Sequence, residues 1–179
     1  MMRSGIATAL LAGALLSMGL SSCAERQEAP AATSTSTSAS ASATIFAASL
    51  PDLEGQPQPL KQWQGKILVL NFWAPWCPPC REETPAFIRL QEKYRTQGVV
   101  FVGVALDQKD KVQAFVDEMG VNYPILLGEN DAVELAKSAG NRLGGLPFTA
   151  VFARDGAIAK TVTGEYKQED LENTLNSLL

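Results

Sequence analysis

The sequence predicts an α/β domain in which helices flank a central mixed sheet. Strand-like and helix-like stretches alternate from Ile67 to Ala139, the pattern of a parallel sheet covered on both faces. The first of these strands, Ile67 to Trp73, is apolar on both faces except for Asn71, as a strand inside such a sheet must be. The rhythm then changes. Thr149 to Ala153, a turn at Arg154-Asp155-Gly156, and Ile158 to Thr163 read as a hairpin that adds an antiparallel edge.

At the N-terminus, Arg3 precedes an apolar run from Ile6 to Leu20. A run of about 15 residues is short for a membrane span of roughly 20 and right for a signal-peptide core. It ends in Leu20-Ser21-Ser22-Cys23, which resembles a bacterial lipobox. The resemblance implies removal of residues 1–22 and lipidation of Cys23, and acyl chains burying CH₂ groups at about 0.8 kcal/mol each would tether the protein. A plain signal peptide cut nearby, or an uncleaved anchor, is the other reading. Ala24 to Ala43 is Ala, Ser, Thr, Gln, Glu and Pro without an apolar period. Such a segment cannot offset its ordering entropy, so residues 23–43 are expected to be a lipidated cysteine and a flexible spacer.

The domain is expected over residues 44–179. Ile45-Phe46 and Leu50 to Leu53 read as short extended pieces around a turn at Glu54-Gly55-Gln56-Pro57, and Leu60 to Trp63 as one helical turn closed by Gly65. After the strand Ile67–Trp73, a helix runs from Pro78 to about Thr96. Phe87, Ile88, Leu90 and Tyr94 fall near helical spacing, Pro85 lies inside, and Gly98 ends it. Val99 to Leu106 is a second buried strand. Gln108 to Met119 is a helix with Val112, Phe115, Val116 and Met119 on one face, stopped by Gly120. Ile125 to Leu127 is a short strand, Asp131 caps a helix through about Ala139, and Gln168 to Leu178 is the last helix.

Composition removes several classes of function. There is no histidine, so Ser-His and Cys-His catalysis and the commonest metal ligand are excluded. A net charge of −4 gives no nucleic-acid footprint. Cys77 and Cys80 form a pair and Cys23 is the outlier.

That pair lies in Phe72-Trp73-Ala74-Pro75-Trp76-Cys77-Pro78-Pro79-Cys80, at a strand-to-helix junction. Two cysteines three apart there form a dithiol that can open and close. The helix start favours a thiolate at Cys77. Pro78 and Pro79 suit a first turn, where the missing N–H groups have no partner within the helix. A structural disulfide is a weaker reading because the loop it closes is tiny. A zinc site would need four ligands. Two buried cysteines without chemistry are the remaining alternative. No metal and no cofactor are expected.

The segment Val69 to Cys80 resembles the active-site segment of thioredoxin-like proteins. With Arg81-Glu82-Glu83 after it, it is similar to the membrane-tethered TlpA/ResA-type thiol-disulfide oxidoreductases of bacteria. The likeness spans roughly Thr44 to Leu179. It implies a thioredoxin-like fold with an N-terminal β-hairpin and an inserted strand and helix, about Tyr123 to Gly140. It implies Cys77 as attacking thiol and Cys80 as resolving thiol. It also implies a cis bond at Pro147, with the Leu146 backbone pairing with substrate. Thioredoxins carry a buried aspartate six residues before the first cysteine; here Asn71 stands there and cannot titrate. The resemblance assigns the acid/base role to Glu83 instead. A solvated first-turn acid is the bland reading of that residue, and the only one for Glu82. Trp76 is expected to offer apolar surface to a partner and Trp73 to pack beneath the motif, although each could be simple core.

The expected function is an extracytoplasmic, lipid-anchored reductase of disulfides in client proteins. Two prolines without N–H, the missing histidine and the Glu83 carboxylate all disfavour a thiolate and hence the reduced form. By resemblance, electrons would come from a membrane thiol donor of the DsbD/CcdA type, and clients would be apocytochromes c or metal-site assembly proteins. Three alternatives stand beside it. A disulfide-forming oxidant would suit a histidine between the cysteines. A peroxiredoxin-type peroxidase would suit a threonine where Ala74 stands. A metallochaperone would need a histidine as ligand.

Overall fold

The computed structural model describes residues 33–179; the signal-peptide and Cys23 expectations lie outside the described residues. A five-stranded sheet has the order β5-β4-β3-β6-β7. Its strands are β3 (Ile67–Trp73), β4 (Val99–Ala105), β5 (Ile125–Leu127), β6 (Phe148–Phe152) and β7 (Ile158–Thr163). β3, β4 and β5 run parallel, while β6 is antiparallel to β3 and β7 to β6. β3 is central and every one of its residues is buried, which accounts for its nearly continuous apolar sequence.

Alternation along β3 divides the core in two. Ile67, Val69 and Trp73 face one cluster, under α2 (Pro78–Tyr94), α3 (Lys109–Met119) and α5 (Gln168–Leu178). Leu68, Leu70 and Phe72 face the other, under α4 (Glu129–Ser138) and the N-terminal elements. By the same parity Asn71, the one polar residue of β3, points to the α2 side. The helix ends follow the glycines: Gly98 and Gly120 both take left-handed conformations, φ 80° and 64°, which let the chain leave the preceding turns.

A small hairpin of β1 (Ser49–Pro51) and β2 (Pro57–Pro59) precedes the sheet, followed by a 3₁₀ turn over Leu60–Trp63. Asp52 makes an isolated antiparallel bridge to Leu126, so the hairpin lies against the β5 edge and covers part of it.

The structure departs from the sequence expectation before the hairpin. Residues Thr33–Ala47 form a helix, α1, where a flexible spacer is expected to Ala43 and an extended piece at Ile45-Phe46. Ile45 is fully buried, and Phe46 packs edge-on against Phe152 with ring centroids 5.3 Å apart. Once this turn is held by the core, extending the helix upstream adds a hydrogen bond per residue without a new nucleus. Tertiary contact at one end thus outweighs the modest helix propensity of Ser and Thr. Asp131 is also not the cap of α4. That helix starts at Glu129, with Gly128 at its N-cap and Asp131 in its first turn.

Candidate active site

β3 ends at Trp73, and a turn in which the Cys77 N–H donates to the Ala74 carbonyl leads into α2. Cys77 is the N-cap residue and Pro78 and Pro79 occupy the first helical positions. Two of the N–H groups that a helix start ordinarily offers are therefore missing beside the Cys77 sulfur. Cys77 and Cys80 are joined by a disulfide, with Cα atoms 5.3 Å apart. Both residues are buried, Cys77 retaining 3% exposure and Cys80 1%. In the disulfide form the surface of Cys77, the expected attacking thiol, is therefore almost fully covered. α2 continues through Pro85, whose missing N–H leaves the Arg81 carbonyl without its helical donor.

Glu83 follows Cys80 by three residues on α2, so the two lie on neighbouring positions of one helix face. It is 2% exposed, which rules out the reading as a solvated first-turn acid. Its carboxylate accepts from Asn71 Nδ2 at 2.7 Å on Oε1 and from the Tyr166 backbone N–H at 2.9 Å on Oε2. Burial pushes its pKa up from 4.5 to about 7, against these two hydrogen bonds, with Glu165 adding a smaller push in the same direction. The buried Tyr123 lies close enough for the Glu83 charge to help burial hold its phenol protonated. Asn71 also donates to Thr149 Oγ1 at 3.0 Å, and the two residues are register partners on β3 and β6.

The Leu146–Pro147 peptide bond is cis. Phe72 pairs with Phe148, so the antiparallel register sets Pro147 level with Trp73, at the end of β3 from which the cysteine turn departs. Leu146 is half-buried, outside the β6 ladder, and packs against both core clusters. Trp73 is buried and its ring lies 4.5 Å from that of Phe115. Its Nε1 has no hydrogen-bond partner among the described residues. Trp76 is 65% exposed, directly beside Cys77. Cys77, Cys80 and Glu83 thus cluster in the first two turns of α2. Leu146 and Pro147 border the same sheet edge, and Trp76 stands out into solvent.

Sequence reading did not single out Thr149, Tyr166 or Leu143. Thr149 carries a signal in retrospect, as a polar residue in a strand where all five residues are buried. Tyr166 contributes a backbone N–H, which no side-chain pattern announces. Leu143 is 96% exposed in the loop that leads to Leu146; an apolar side chain between Arg142 and Gly144-Gly145 is its only mark.

A model of the Redoxin family matches residues 25–179. The chain belongs to the redoxin family. Among curated relatives, the thiol-disulfide oxidoreductase ResA of Geobacillus thermodenitrificans is 35% identical over 130 residues, covering 72% of this chain and 72% of that one. The ResA of Bacillus thuringiensis is 33% identical over 128 residues, 71% of this chain and 72% of its own length. Among solved structures, a thioredoxin-family thiol:disulfide interchange protein from Chlorobium tepidum superposes with a TM-score of 0.67 at 25% identity, over 73% of this chain and 92% of that one. A secreted Mycobacterium tuberculosis disulfide oxidoreductase homologous to Escherichia coli DsbE superposes with a TM-score of 0.65 at 27% identity, over 75% and 98%. This redoxin therefore has a thioredoxin-like fold and is a thiol-disulfide oxidoreductase of the ResA and DsbE type. In it the Cys77–Cys80 disulfide is followed, one turn along the helix, by the buried carboxyl group of Glu83.

Proposed function

We propose that this redoxin reduces disulfide bonds in client proteins outside the cytoplasm, while tethered to a membrane through Cys23. The observation that carries the direction of electron flow is the buried Glu83 carboxyl beside Cys80, at a helix start whose first two N–H groups are replaced by Pro78 and Pro79. Few donors and a nearby negative charge both disfavour a thiolate, and a disfavoured thiolate makes the dithiol a better electron donor.

In this mechanism the Cys77 thiolate attacks one sulfur of a client disulfide, forming a mixed disulfide and releasing the other client sulfur as a thiolate. The ionised Glu83 carboxylate takes the proton from the Cys80 thiol. The Cys80 thiolate then attacks Cys77 Sγ, closing the Cys77–Cys80 disulfide and releasing the second client thiolate. Two electrons pass from the enzyme dithiol to the client. One client thiolate is protonated by Glu83, the other from solvent. Trp76 supplies apolar contact beside the attacked sulfur, and the Leu146 backbone pairs with the extended client segment where Pro147 borders the cysteines.

The location rests on the Ile6–Leu20 apolar run and the Leu20–Cys23 lipobox likeness, and the Mycobacterium tuberculosis relative is described as secreted. Reduction of the resting disulfide falls to a membrane thiol donor of the DsbD/CcdA type. The clients are apocytochromes c or proteins that assemble metal sites.

Insulin, whose chains separate when its disulfides are cut, tests the activity. The reduced protein should cleave them, Cys77→Ser should be inert, and Cys80→Ser should accumulate mixed disulfides whose partners identify the clients. A Cys77→Ser protein that still cleaves insulin would overturn the mechanism.

A further inference from the structure

We propose that Asn71, backed by Thr149, is a positioning residue that fixes the Glu83 carboxylate and sets its proton affinity for exchange with Cys80. This rests on the role given to Glu83 above.

The geometry begins with strand parity. Asn71 shares the α2-facing side of β3 with Ile67, Val69 and Trp73 and is 4% exposed. In an apolar layer its amide must find partners within the protein. Nδ2 carries two hydrogens. One meets Glu83 Oε1 at 2.7 Å and the other meets Thr149 Oγ1 at 3.0 Å. Thr149 is fully buried and directly opposite Asn71 in the ladder. With both hydrogens engaged, the amide presents its donor side to the carboxylate, which favours the charged form.

Around Glu83 stand Cys80 on its own helix, Tyr123 after α3, Glu165 and Tyr166 before α5, and Asn71 and Thr149 on the sheet. Among the described residues, no cation is one of the groups that shift its ionisation, and Asn71 is the only side chain that donates to it. The ionised state that can accept the Cys80 proton therefore depends on two N–H groups, one of them from Asn71. An asparagine provides that donor without adding a charge of its own. Without the Thr149 hydroxyl, the second Nδ2 hydrogen would be buried and unpaired. The amide would then gain by turning its carbonyl toward Glu83, an arrangement that suits the protonated acid.

The Glu83 carboxyl resonance, followed by ¹³C NMR in the oxidised protein and assigned with Glu83→Gln, reads this directly. The wild-type midpoint should lie near 7. Asn71→Ala should raise it by about one pH unit, roughly tenfold in proton affinity. Thr149→Val, close in shape to the native residue, should raise it by a smaller, resolvable interval, and Thr149→Ser should leave it in place. The acid limb of the pH profile for insulin cleavage should move with the midpoint. Asn71→Ala and Thr149→Val proteins that fold and titrate with wild-type midpoints would overturn the proposal. The titration is read in the resting disulfide form, so it stands whether or not insulin proves to be a substrate.

Discussion

Glu83→Gln should change the stability of the oxidised protein in a pH-dependent way whose sign and size follow from the site. In the folded protein the Glu83 carboxyl has its pKa pushed up to about 7 by burial, against 4.5 ordinarily. Below pH 4.5 the folded and unfolded chains both hold the proton and the residue costs nothing. Between 4.5 and 7 the unfolded chain releases it while the folded chain keeps it, so stability falls by about 1.4 kcal/mol per pH unit. Above 7 both are ionised and the loss levels off at about 3 kcal/mol. Glutamine has the same shape and no charge, but only one of its two terminal atoms accepts, so one of the bonds from Asn71 and the Tyr166 N–H is lost at a cost of about 1 kcal/mol. The variant should therefore be less stable than wild type by about 1 kcal/mol at pH 4 and more stable by about 2 kcal/mol at pH 8. Urea denaturation of both oxidised proteins across this range measures the difference, in which the other titrating groups cancel. A difference constant to within about 0.5 kcal/mol from pH 4 to pH 8 would refute the reasoning, because it would mean that Glu83 ionises alike in both states.

Three further outcomes follow from packing and exposure. Phe46→Ala should cost about 3 kcal/mol in urea denaturation, because its ring lies against Phe152 in the core; a cost under about 1 kcal/mol would mean that the end of α1 is not part of the folded domain. Gly103→Ala should destabilise by about 1–3 kcal/mol, since its Cβ would come within 2.7 Å of Ile125 Cδ1 and 2.8 Å of Trp73 Nε1; an unchanged urea midpoint would contradict that packing. Trp76→Ala, at a side chain 65% exposed, should leave stability within about 0.5 kcal/mol and raise KM for client reduction. Unaltered kinetics would remove Trp76 from the client surface.

Most of the sheet was legible in the sequence because its burial pattern is extreme. Seven residues with a single polar interruption leave β3 no place but the centre, and Gly98 and Gly120 mark helix ends through the left-handed conformations they adopt. The hairpin at Arg154-Asp155-Gly156 was readable from turn chemistry alone. Other features depend on contacts distant in sequence. The α1 helix is held by Phe152, more than a hundred residues away from Phe46, and a Ser/Thr/Ala segment gives no hint of such an anchor. At the start of α4, Asp131 is a good cap by residue type, but the helix begins two residues earlier, at Glu129 after Gly128.

The site divides in the same way. The cysteine pair and its position on a helix start were legible, since they depend on local spacing. The burial of Glu83 was not. In sequence it is one of two adjacent glutamates in a polar stretch, and only the folded chain brings Asn71 and the Tyr166 N–H to its two oxygens. In sequence Asn71 shows only that it cannot titrate, whereas in the fold its amide donates to Glu83 Oε1.

The reduction potential of the Cys77–Cys80 pair, measured by equilibration with glutathione buffers, tests the central claim most directly. A pair deprived of helix-start donors and placed beside a buried carboxyl should be strongly reducing, at about −250 mV or below, in the range of thioredoxin. A potential near −120 mV, that of a strong disulfide-forming oxidant, would contradict the account.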